Sequence, residues 1–441
     1  MKPLGITLIV AACLVPLVWL PGIAQGRDVV ALFSQYLGIV ALITMALAHL
    51  IATRWPGIEA TFGPMDQSYR VHKWLGIAGM TAVLLHDTID ADMSGLGRET
   101  ALVELGETLG EISLYGLLIL VVITIATFIP YHLWKWTHRL IGIFFVFGAL
   151  HYLLILKPFA NTDPLGLYTG AFCVLGLIAF LYTSAPRALR PARDYAIESV
   201  TPEGRAIAVE MTPSGRAMKH HAGQFGFFAF TGGGLPEPHP FTFSSAPRTN
   251  GSLRVTIAPL GDLTNRLTRS LAPGQTVRVE GPYGHFGRHI TGPQVWIGAG
   301  VGITPFMALA EALAPDAAPV VLIHAVKRAE DAPHRAALEA LAADKPNLTF
   351  ILWESSTRGR LNADTLVETA GALDETHVLF CGPANMRDSL SQGLRRHGVP
   401  QKRFHYELFE IRTGIGLEAL AKWIWARRGA LAKVQKQSMR R

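Results

Sequence analysis

The stretch RVHKWLGIAGMTAVLLHDT, residues 70–88, decides the fold, because it is a largely apolar run of membrane-spanning length with a histidine near each end. A helix needs about 20 mostly apolar residues to cross the hydrocarbon of a bilayer. An imidazole in hydrocarbon is costly unless it is paired, so a histidine within a span is a candidate for function. The stretch therefore predicts a transmembrane helix in which His72 and His86 are candidate ligands.

Five further apolar stretches have a similar length, and the six together predict a six-helix transmembrane domain over residues 1–186. The stretches are 4–22, 29–52, 70–88, 112–131, 137–157 and 165–184. The first could instead be a signal peptide, but no clean small-x-small cleavage site follows it, which favours a retained helix.

The composition divides the chain of 441 residues into a membrane half and a soluble half. Hydrophobic residues make up 50% of the chain and charged residues 17%, and the apolar excess lies in the first 185 residues. The net charge of +7 is explained by basic loops and a basic tail at an anionic membrane face rather than by nucleic acid. Three cysteines, Cys13, Cys173 and Cys381, give neither a disulfide pattern nor the spacing of a zinc or iron–sulfur site.

Basic residues are distributed unevenly between the two ends of the predicted helices. With the amino terminus inside, the inner segments hold Lys2, Arg54, Arg70, Lys73, Lys135, Arg139, Arg187, Arg190 and Arg193, and the outer segments hold Arg27, Arg98 and Lys157. This positive-inside bias predicts an inner (plasma) membrane protein whose soluble half is cytoplasmic. The acidic segment after the third helix is predicted to be an outward-facing loop.

The fifth apolar stretch, 137–157, carries a second pair of histidines, His138 and His151. Fourteen residues separate the first pair and thirteen the second, which correspond to about 21 and 19.5 Å of helix. Both helices run from inside to outside, so His72 lies level with His138, and His86 with His151. Each level could ligate one haem iron through two imidazoles. The alternative is that these are hydrogen-bonded structural histidines.

The thirteen-residue spacing raises a geometric difficulty, because it places two side chains about 140° apart around an ideal helix. Either the fifth helix is locally distorted, or the two haems meet it on different faces.

The soluble half changes character near residue 290. Short β-rich runs separated by turn signals predict an antiparallel β-barrel over 187–290. Strands that alternate with helical patterns predict a parallel α/β nucleotide-binding domain over 291–410. The remainder, 411–441, is basic and contains apolar residues, so it could be an amphipathic helix on the membrane surface or a solvated tail.

Four motifs in the soluble half suggest cofactor binding, although each alone could be an ordinary turn. The stretch HPFTFSSAP, 239–247, offers hydroxyls and an aromatic surface that suit a flavin and its pyrophosphate. GDLT, 261–264, opens a helix whose amide groups favour a phosphate, with Thr264 as a candidate. GPYG, 281–284, ends the barrel. WIGAGVGITPF, 296–306, is a glycine turn between a strand and a helix, as dinucleotide binding requires.

Over roughly residues 30–410 these features resemble the ferric reductase and NADPH oxidase superfamily, in which a six-helix haem domain is fused to a ferredoxin–NADP reductase-like module. The four histidines match the family's ligand spacings. The resemblance implies two b-type haems, FAD and NADPH, with hydride passing to FAD and single electrons then passing from the inner to the outer haem. The corresponding cofactor residues are His239, Pro240, Phe241, Thr242, Ser245, Gly281, Pro282, Tyr283, Gly284, Gly298, Gly300, Gly302, Thr304, Pro305, Gly382 and Pro383.

The resemblance also gives the catalytic candidates, Cys381 and Phe409. Cys381 could equally be core filler, and Phe409 matches an aromatic residue that stacks on the flavin in related oxidases. A preference for NADPH requires a basic site for the 2′-phosphate, for which Lys327 and Arg328 are the candidates, with Arg358 and Arg360 next. Three terminal acceptors remain open: oxygen, giving superoxide; a ferric chelate; and a periplasmic partner protein.

Overall fold

The chain forms a helical unit that ends at Pro186 and a mixed α/β unit over Arg187–Phe409. The computed structural model describes residues 2–55, 57–89, 96–125, 129, 131–185, 191–230 and 235–407. Phe409 and the predicted extension 411–441 lie outside the described residues.

The helical unit contains eight described helices. They are α1 (Pro3–Leu14), α2 (Leu20–Ile23), α3 (Val29–Ala52), α4 (Ile58–Phe62), α5 (Met65–Thr88), α6 (Ala101–Ile125), α7 (Tyr131–Leu154) and α8 (Pro164–Ser184). Among the described residues, five segments are long and apolar enough to cross a membrane: Pro3–Ile23, Val29–Ala52, Ala101–Ile125, Leu133–Leu154 and Pro164–Ser184. Helix α5 has 24 residues but is more polar, because Arg70 and Lys73 lie in its first half. Five apolar spans are thus present, and the count of six stays a prediction.

Helix α6 begins earlier than predicted, and this corrects the expected outer loop. Val103 and Gly106 are buried, whereas Glu104 and Glu107 are exposed. Apolar and acidic residues each recur three residues apart, which gives the first turns one packed face and one acidic face. The glutamates therefore lie on a helix and not in a loop.

Small residues allow the helices of this unit to pack closely. Gly176 of α8 lies against the Phe145 ring and against Ala46 of α3. Ala46 is fully buried and Phe145 is 1% exposed. Without a Cβ, the backbone of one helix can approach its neighbour, as is common between membrane helices.

Six antiparallel strands form the first sheet of the mixed unit. They are β1 (Arg193–Glu203), β2 (Ala206–Pro213), β3 (Phe225–Phe230), β4 (Leu235–Thr242), β5 (Leu253–Ile257) and β6 (Thr276–Tyr283), in the order β4-β3-β6-β1-β2-β5, with α9 (Asp262–Ser270) before β6. Alternate residues such as Val277 and Val279 point into a fully buried core. A single bridge between Phe243 and Val255 joins the residue after β4 to the opposite edge strand. The closed barrel itself stays a prediction.

The predicted parallel sheet is confirmed, with five strands in the order β11-β10-β7-β8-β9. Its strands are β7 (Gln294–Ala299), β8 (Val320–Val326), β9 (Leu348–Glu354), β10 (His377–Cys381) and β11 (Phe404–Tyr406). The helices are α10 (Thr304–Ala312), α11 (Arg335–Asp344), α12 (Ser355–Arg358), α13 (Ala363–Ala370) and α14 (Ala384–Arg396). The sheet brings the glycine turn after β7 beside the carboxyl ends of β8 and β10, where such sheets bind ligands.

Candidate functional site

Two of the predicted ligands, His72 and His138, lie close together within the helical unit. The ring centres of His72 on α5 and His138 on α7 are 5.9 Å apart, with the ring planes inclined at 65°. Two imidazoles on opposite sides of one metal ion, each at a metal–nitrogen distance of about 2 Å, have ring centres roughly 6 Å apart. The separation of this pair therefore fits a single metal ion between the two rings.

The other ring nitrogen of each histidine has a hydrogen-bond partner. Nδ1 of His72 is 2.8 Å from the Ala48 carbonyl oxygen. Nδ1 of His151 is 2.9 Å from that of Gly106. A carbonyl only accepts, so Nδ1 carries the proton and Nε2 keeps its lone pair, which is the arrangement of a metal-ligating histidine.

His86 follows the same rule, and the partner of His138 is a hydroxyl that itself donates to the Leu120 carbonyl at 2.7 Å and so accepts from the ring. Nδ1 of His86 lies 2.9 Å from the Ser34 carbonyl oxygen and 2.8 Å from the Ser34 hydroxyl. Nδ1 of His138 lies 3.2 Å from the Thr124 hydroxyl. Among the described residues no group of three or more His, Cys, Asp or Glu side chains forms a metal site.

His86 and His151 line one cavity of about 350 Å³. Glycines also line it, and they leave the space that side chains would fill. A Cβ on Gly38 would lie 3.4 Å from Nε2 of His86, and one on Gly110 would lie 2.5 Å from Nδ1 of His151. A cavity that is lined by glycines and by two imidazoles suits a flat macrocycle ligated by both histidines.

Helix α7 is unbroken from Tyr131 to Leu154. The local distortion that the thirteen-residue spacing could require is absent from this helix, so His138 and His151 project from it about 140° apart. This geometry favours the other alternative, in which α7 offers a different face at each level.

The cavity beside His86 and His151 also has charged residues that sequence reasoning did not connect with it. Asp87, Glu107, Glu111 and Lys157 belong to its lining. The Lys157 ammonium group donates to the Tyr152 carbonyl at 2.7 Å and lies 4.7 Å from the centre of the Tyr152 ring. Burial lowers the pKa of Lys157 to about 8. The sequence placed Lys157 only among the outer loop charges, because nothing in its local pattern indicates burial.

The flavin-binding candidates lie on and just after β4. His239, Pro240, Phe241 and Thr242 pair with consecutive residues of β3. The Thr242 hydroxyl is buried and has no hydrogen-bond partner among the described residues. Buried polar groups are almost always satisfied, so this hydroxyl fits contact with a polar edge of a bound group such as a flavin.

The segment 281–284 lies beside β3. The Tyr283 ring centre is 6.0 Å from that of Phe225 and 5.8 Å from that of Phe227, and the Tyr283 hydroxyl donates to Glu280 at 2.8 Å. The Gly284 carbonyl accepts from the Gln224 side-chain amide at 3.0 Å. Gly281 and Pro282 are joined by a cis peptide bond. This segment supplies an aromatic surface next to the proposed flavin segment.

Two predicted hydroxyls have partners within the protein. Ser245 is fully buried, and its Oγ accepts from the Arg254 backbone amide at 3.1 Å. The Thr264 hydroxyl accepts from the backbone amides of Leu260 and Gly261, so it caps α9. Their roles in cofactor binding stay predictions.

The glycine turn has the geometry that its sequence predicts. Gly300 has a φ of +56°, which favours glycine, and a Cβ on Gly302 would collide with the Cys381 carbonyl. Thr304 and Pro305 open α10. Nε2 of the fully buried His324 is 3.0 Å from the Gly300 carbonyl, and burial lowers the pKa of His324 to about 4. Sequence reasoning missed His324, because a histidine in an apolar strand gives no signal of its partner.

Cys381 ends β10 opposite Gly298. Its side chain is fully buried in a cluster with Trp296 and Phe306, and burial raises the pKa of the thiol well above its usual value. The thiol is therefore protonated. The next residue, Gly382, packs closely against Ala299, because a Cβ on Gly382 would lie only 2.6 Å from the Cβ of Ala299. Pro383 directly precedes α14. A catalytic role for Cys381 stays a prediction.

The basic candidates for the 2′-phosphate follow β8. Arg328 pairs with Glu330 at 3.2 Å, and the two side chains are 62% and 72% exposed. Lys327 is exposed as well. Arg358 instead lies 5.4 Å from the centre of the Trp353 ring. The preference for NADPH stays a prediction.

Three family models match consecutive parts of the chain. Residues 37–149 match the ferric reductase like transmembrane component, 196–287 an FAD-binding domain, and 296–392 an oxidoreductase NAD-binding domain. The order is that of the fusion implied by the sequence resemblance, which is thereby confirmed. The chain thus combines a ferric reductase-like transmembrane component with an FAD-binding domain and an oxidoreductase NAD-binding domain.

Each of the following relatives matches less than half of the chain. The ferredoxin reductase component of 3-ketosteroid-9-alpha-monooxygenase from Rhodococcus rhodochrous is 32% identical over 179 residues, 40% of this chain and 51% of the relative. A flavohemoprotein from Burkholderia sp. (strain TH2) is 29% identical over 208 residues, 44% of this chain and 52% of the relative. The chain thus spans about half the length of these relatives. The FAD/NAD domain of a Vibrio cholerae nitric oxide dioxygenase is 22% identical with a TM-score of 0.45, covering 49% of this chain and 98% of that one.

Proposed function

We propose that this fusion of a ferric reductase-like transmembrane component with FAD- and NAD-binding domains is a superoxide-producing NADPH oxidase. Electrons from cytoplasmic NADPH would reach oxygen on the outer face, with FAD and two haems as resident cofactors. The observation that carries the proposal is the arrangement of the four histidines, in which every Nδ1 has a hydrogen-bond partner and every Nε2 is left for iron.

The proposed membrane domain is a six-helix bundle in which α5 and α7 supply both ligand pairs. His72 with His138 would hold the inner haem, and His86 with His151 the outer one. The positive-inside charge pattern supports this direction, because it places the first pair toward the cytoplasm. The glycine-lined cavity around the second pair supports a haem there as well.

The FAD- and NAD-binding domains would accept electrons from NADPH on the cytoplasmic side. When bound, FAD supplies the conversion between a two-electron hydride donor and one-electron acceptors. The Thr242 hydroxyl would orient the flavin from β4, and the turn at Gly300 and Gly302 would receive the nucleotide pyrophosphate. Lys327 and Arg328 would favour NADPH over NADH by binding its 2′-phosphate.

A second candidate function is ferric-chelate reduction, and one observation favours it. Three carboxylates, Asp87, Glu107 and Glu111, line the outer cavity. Such groups attract cations to the face where electrons would leave. Lys157 in the same lining opposes this attraction, and an ammonium group instead favours a product that becomes anionic, such as superoxide.

The deciding experiment measures NADPH oxidation by the purified full-length protein under three conditions: air, anaerobic buffer, and anaerobic ferric citrate. We expect oxidation in air with roughly two superoxide molecules per NADPH, detected as superoxide dismutase-sensitive reduction of cytochrome c. Anaerobic oxidation of NADPH with ferric citrate, together with no superoxide in air, would contradict the proposed oxidase and support a ferric-chelate reductase.

A further inference from the structure

A short part of the flavin-binding motif, residues 244–246, is bound by a side chain from the nucleotide-binding half of the same unit. Glu311, near the end of α10, accepts from the Ala246 backbone amide at 2.7 Å. Its other oxygen is 2.6 Å from the Arg254 guanidinium. Arg254 in turn donates to the Ser244 carbonyl at 3.1 Å through Nε. The Arg254 and Glu311 side chains are 13% and 21% exposed, so water screens this ion pair less than a surface pair.

A second contact reaches the same segment from another element. Nε2 of His334, the residue before α11, lies 2.6 Å from the Thr256 hydroxyl. That hydroxyl is 2.9 Å from the Ser244 hydroxyl. All three residues are at least 95% buried. His334 is itself held by Glu203, which accepts from the His334 backbone amide at 2.8 Å.

These two contacts connect the elements on which hydride transfer would depend. Helix α10 starts directly after the glycine turn, and α11 follows β8, which carries His324 against Gly300. Residues 244–246 directly follow β4 and Thr242. A shift of α10 or of His334 is therefore transmitted to the segment expected to bind the flavin.

We propose that Glu311 and His334 are positioning residues for hydride transfer, which act through residues 244–246 to fix the flavin-binding segment against the nucleotide-binding sheet. This inference rests on the proposed use of FAD and NADPH. Misplacement of reacting groups by about 1 Å can slow a reaction roughly 100-fold, so contacts of this kind affect the rate of transfer more than the binding of either cofactor.

Glu311 is not the only carboxylate close to the Arg254 guanidinium. Arg254 also lies 3.5 Å from Glu210. Glu311→Gln therefore leaves the guanidinium with a carboxylate partner, while its single acceptor oxygen can keep the Ala246 amide contact or the Arg254 contact but not both. The effect of Glu311→Gln should accordingly be positional rather than that of an isolated buried charge.

The test compares full-length wild type with Glu311→Gln and Thr256→Val, since the second variant removes the hydroxyl between His334 and Ser244 while keeping its shape. Matched controls are Glu339→Gln, which removes an ion pair with Arg335 whose side chains are 50% and 47% exposed, and Thr268→Val, which removes an exposed hydrogen bond to the Asn265 carbonyl within α9. Anaerobic stopped-flow absorbance gives the limiting rate of flavin reduction, the NADPH concentration at half saturation, and the isotope effect with 4-deuterated NADPH. Absorbance after denaturation gives FAD per chain.

We expect both test variants to keep their FAD and their half-saturating NADPH concentration, while the limiting rate falls roughly 10-fold and the isotope effect persists. Wild-type rates in both variants, or a rate loss only in proportion to lost FAD, would overturn the inference. Should Glu311→Gln fail to fold, Thr256→Val alone decides. A wild-type flavin that neither NADPH nor NADH reduces would overturn the proposed function together with the inference.

Discussion

The imidazole rings of His72 and His138 lie with their centres 5.9 Å apart and their planes inclined at 65°, although 66 positions separate the two residues in the chain. Nδ1 of each ring also has a hydrogen-bond partner, which is the Ala48 carbonyl for His72 and the Thr124 hydroxyl for His138. Two rings held in this way form a preorganised donor pair.

The first prediction concerns haem content. His72→Leu or His138→Leu should remove the inner haem, because one imidazole cannot complete a bis-histidine site, and the purified protein should retain about half of its haem. The pyridine haemochrome assay measures this. His49→Phe is the control, because the His49 ring packs against Phe145 and Phe180 as an aromatic residue would. Full haem content in either ligand variant would sink the assignment.

The second prediction concerns the glycine cradle of the outer cavity. Gly110→Val should expel the outer haem while the inner one stays, since even a Cβ at this position lies 2.5 Å from Nδ1 of His151. Redox titration of the haem absorbance should then show one component in place of two. Gly170→Ala is the control, because a Cβ there meets nothing within 4 Å. Two unchanged components in Gly110→Val would contradict a close-packed outer site.

The third prediction concerns Lys157. Its pKa of about 8 lies below the ordinary 10.5, so the ammonium form is present at pH 7 and is lost as the pH rises through 8. Lys157→Met should lower superoxide production about fivefold at pH 7, the size of roughly 1 kcal/mol of charge stabilisation. Wild type should approach this variant at pH 9, whereas Lys157→Arg should stay active. Parallel pH profiles for wild type and Lys157→Met would contradict the role of the charge.

The fourth prediction concerns acid stability of the mixed unit. Burial lowers the pKa of His334 to about 3 and that of His324 to about 4. Between these values and 6.5 the unfolded chain binds more protons than the folded one, so stability is retained above about pH 6.5 and falls as the pH decreases below it. FAD fluorescence should therefore rise on acidification from pH 7 to pH 4. His324→Gln should make this dependence shallower, and His397→Gln, at an exposed histidine, should not. Equal flavin release at pH 7 and pH 5 would refute the linkage.

Much of the fold could be predicted because its signals are local. Apolar length gave α3, α6, α7 and α8, and alternation with glycine punctuation gave the strands of the parallel sheet. The start of α6 was missed because Glu104, Glu107 and Glu111 resemble a polar loop until their three- and four-residue spacing is compared with the buried Val103 and Gly106. Strand β11 has only three residues, which is too short for a periodic signal.

The candidate site was predictable only as far as side-chain chemistry reveals it. The four histidines are visible in the sequence, whereas the carbonyl oxygens of Ala48 and Gly106 belong to the backbone and have no sequence signature. The contact between Arg254 and Glu311 joins residues 57 positions apart, and only tertiary structure brings them together. Thr264 shows that one side chain can fit two roles, since the hydroxyl predicted to lie near a phosphate also accepts from the Gly261 amide as a helix cap.

The hydrogen-bond partners of the proposed ligand histidines affect how the sequence around them can evolve. Nδ1 of His72, His86 and His151 is in each case within hydrogen-bond distance of a main-chain oxygen. Substitution of Ala48 or Ser34 changes a side chain but leaves that oxygen in place, whereas a Cβ on Gly106 would lie 2.9 Å from the Cβ of Leu154, so the backbone there would have to shift. The main-chain partners of His72 and His86 therefore persist when Ala48 or Ser34 is substituted, so these two positions can diverge in sequence while the proposed haem ligands keep their hydrogen bonds.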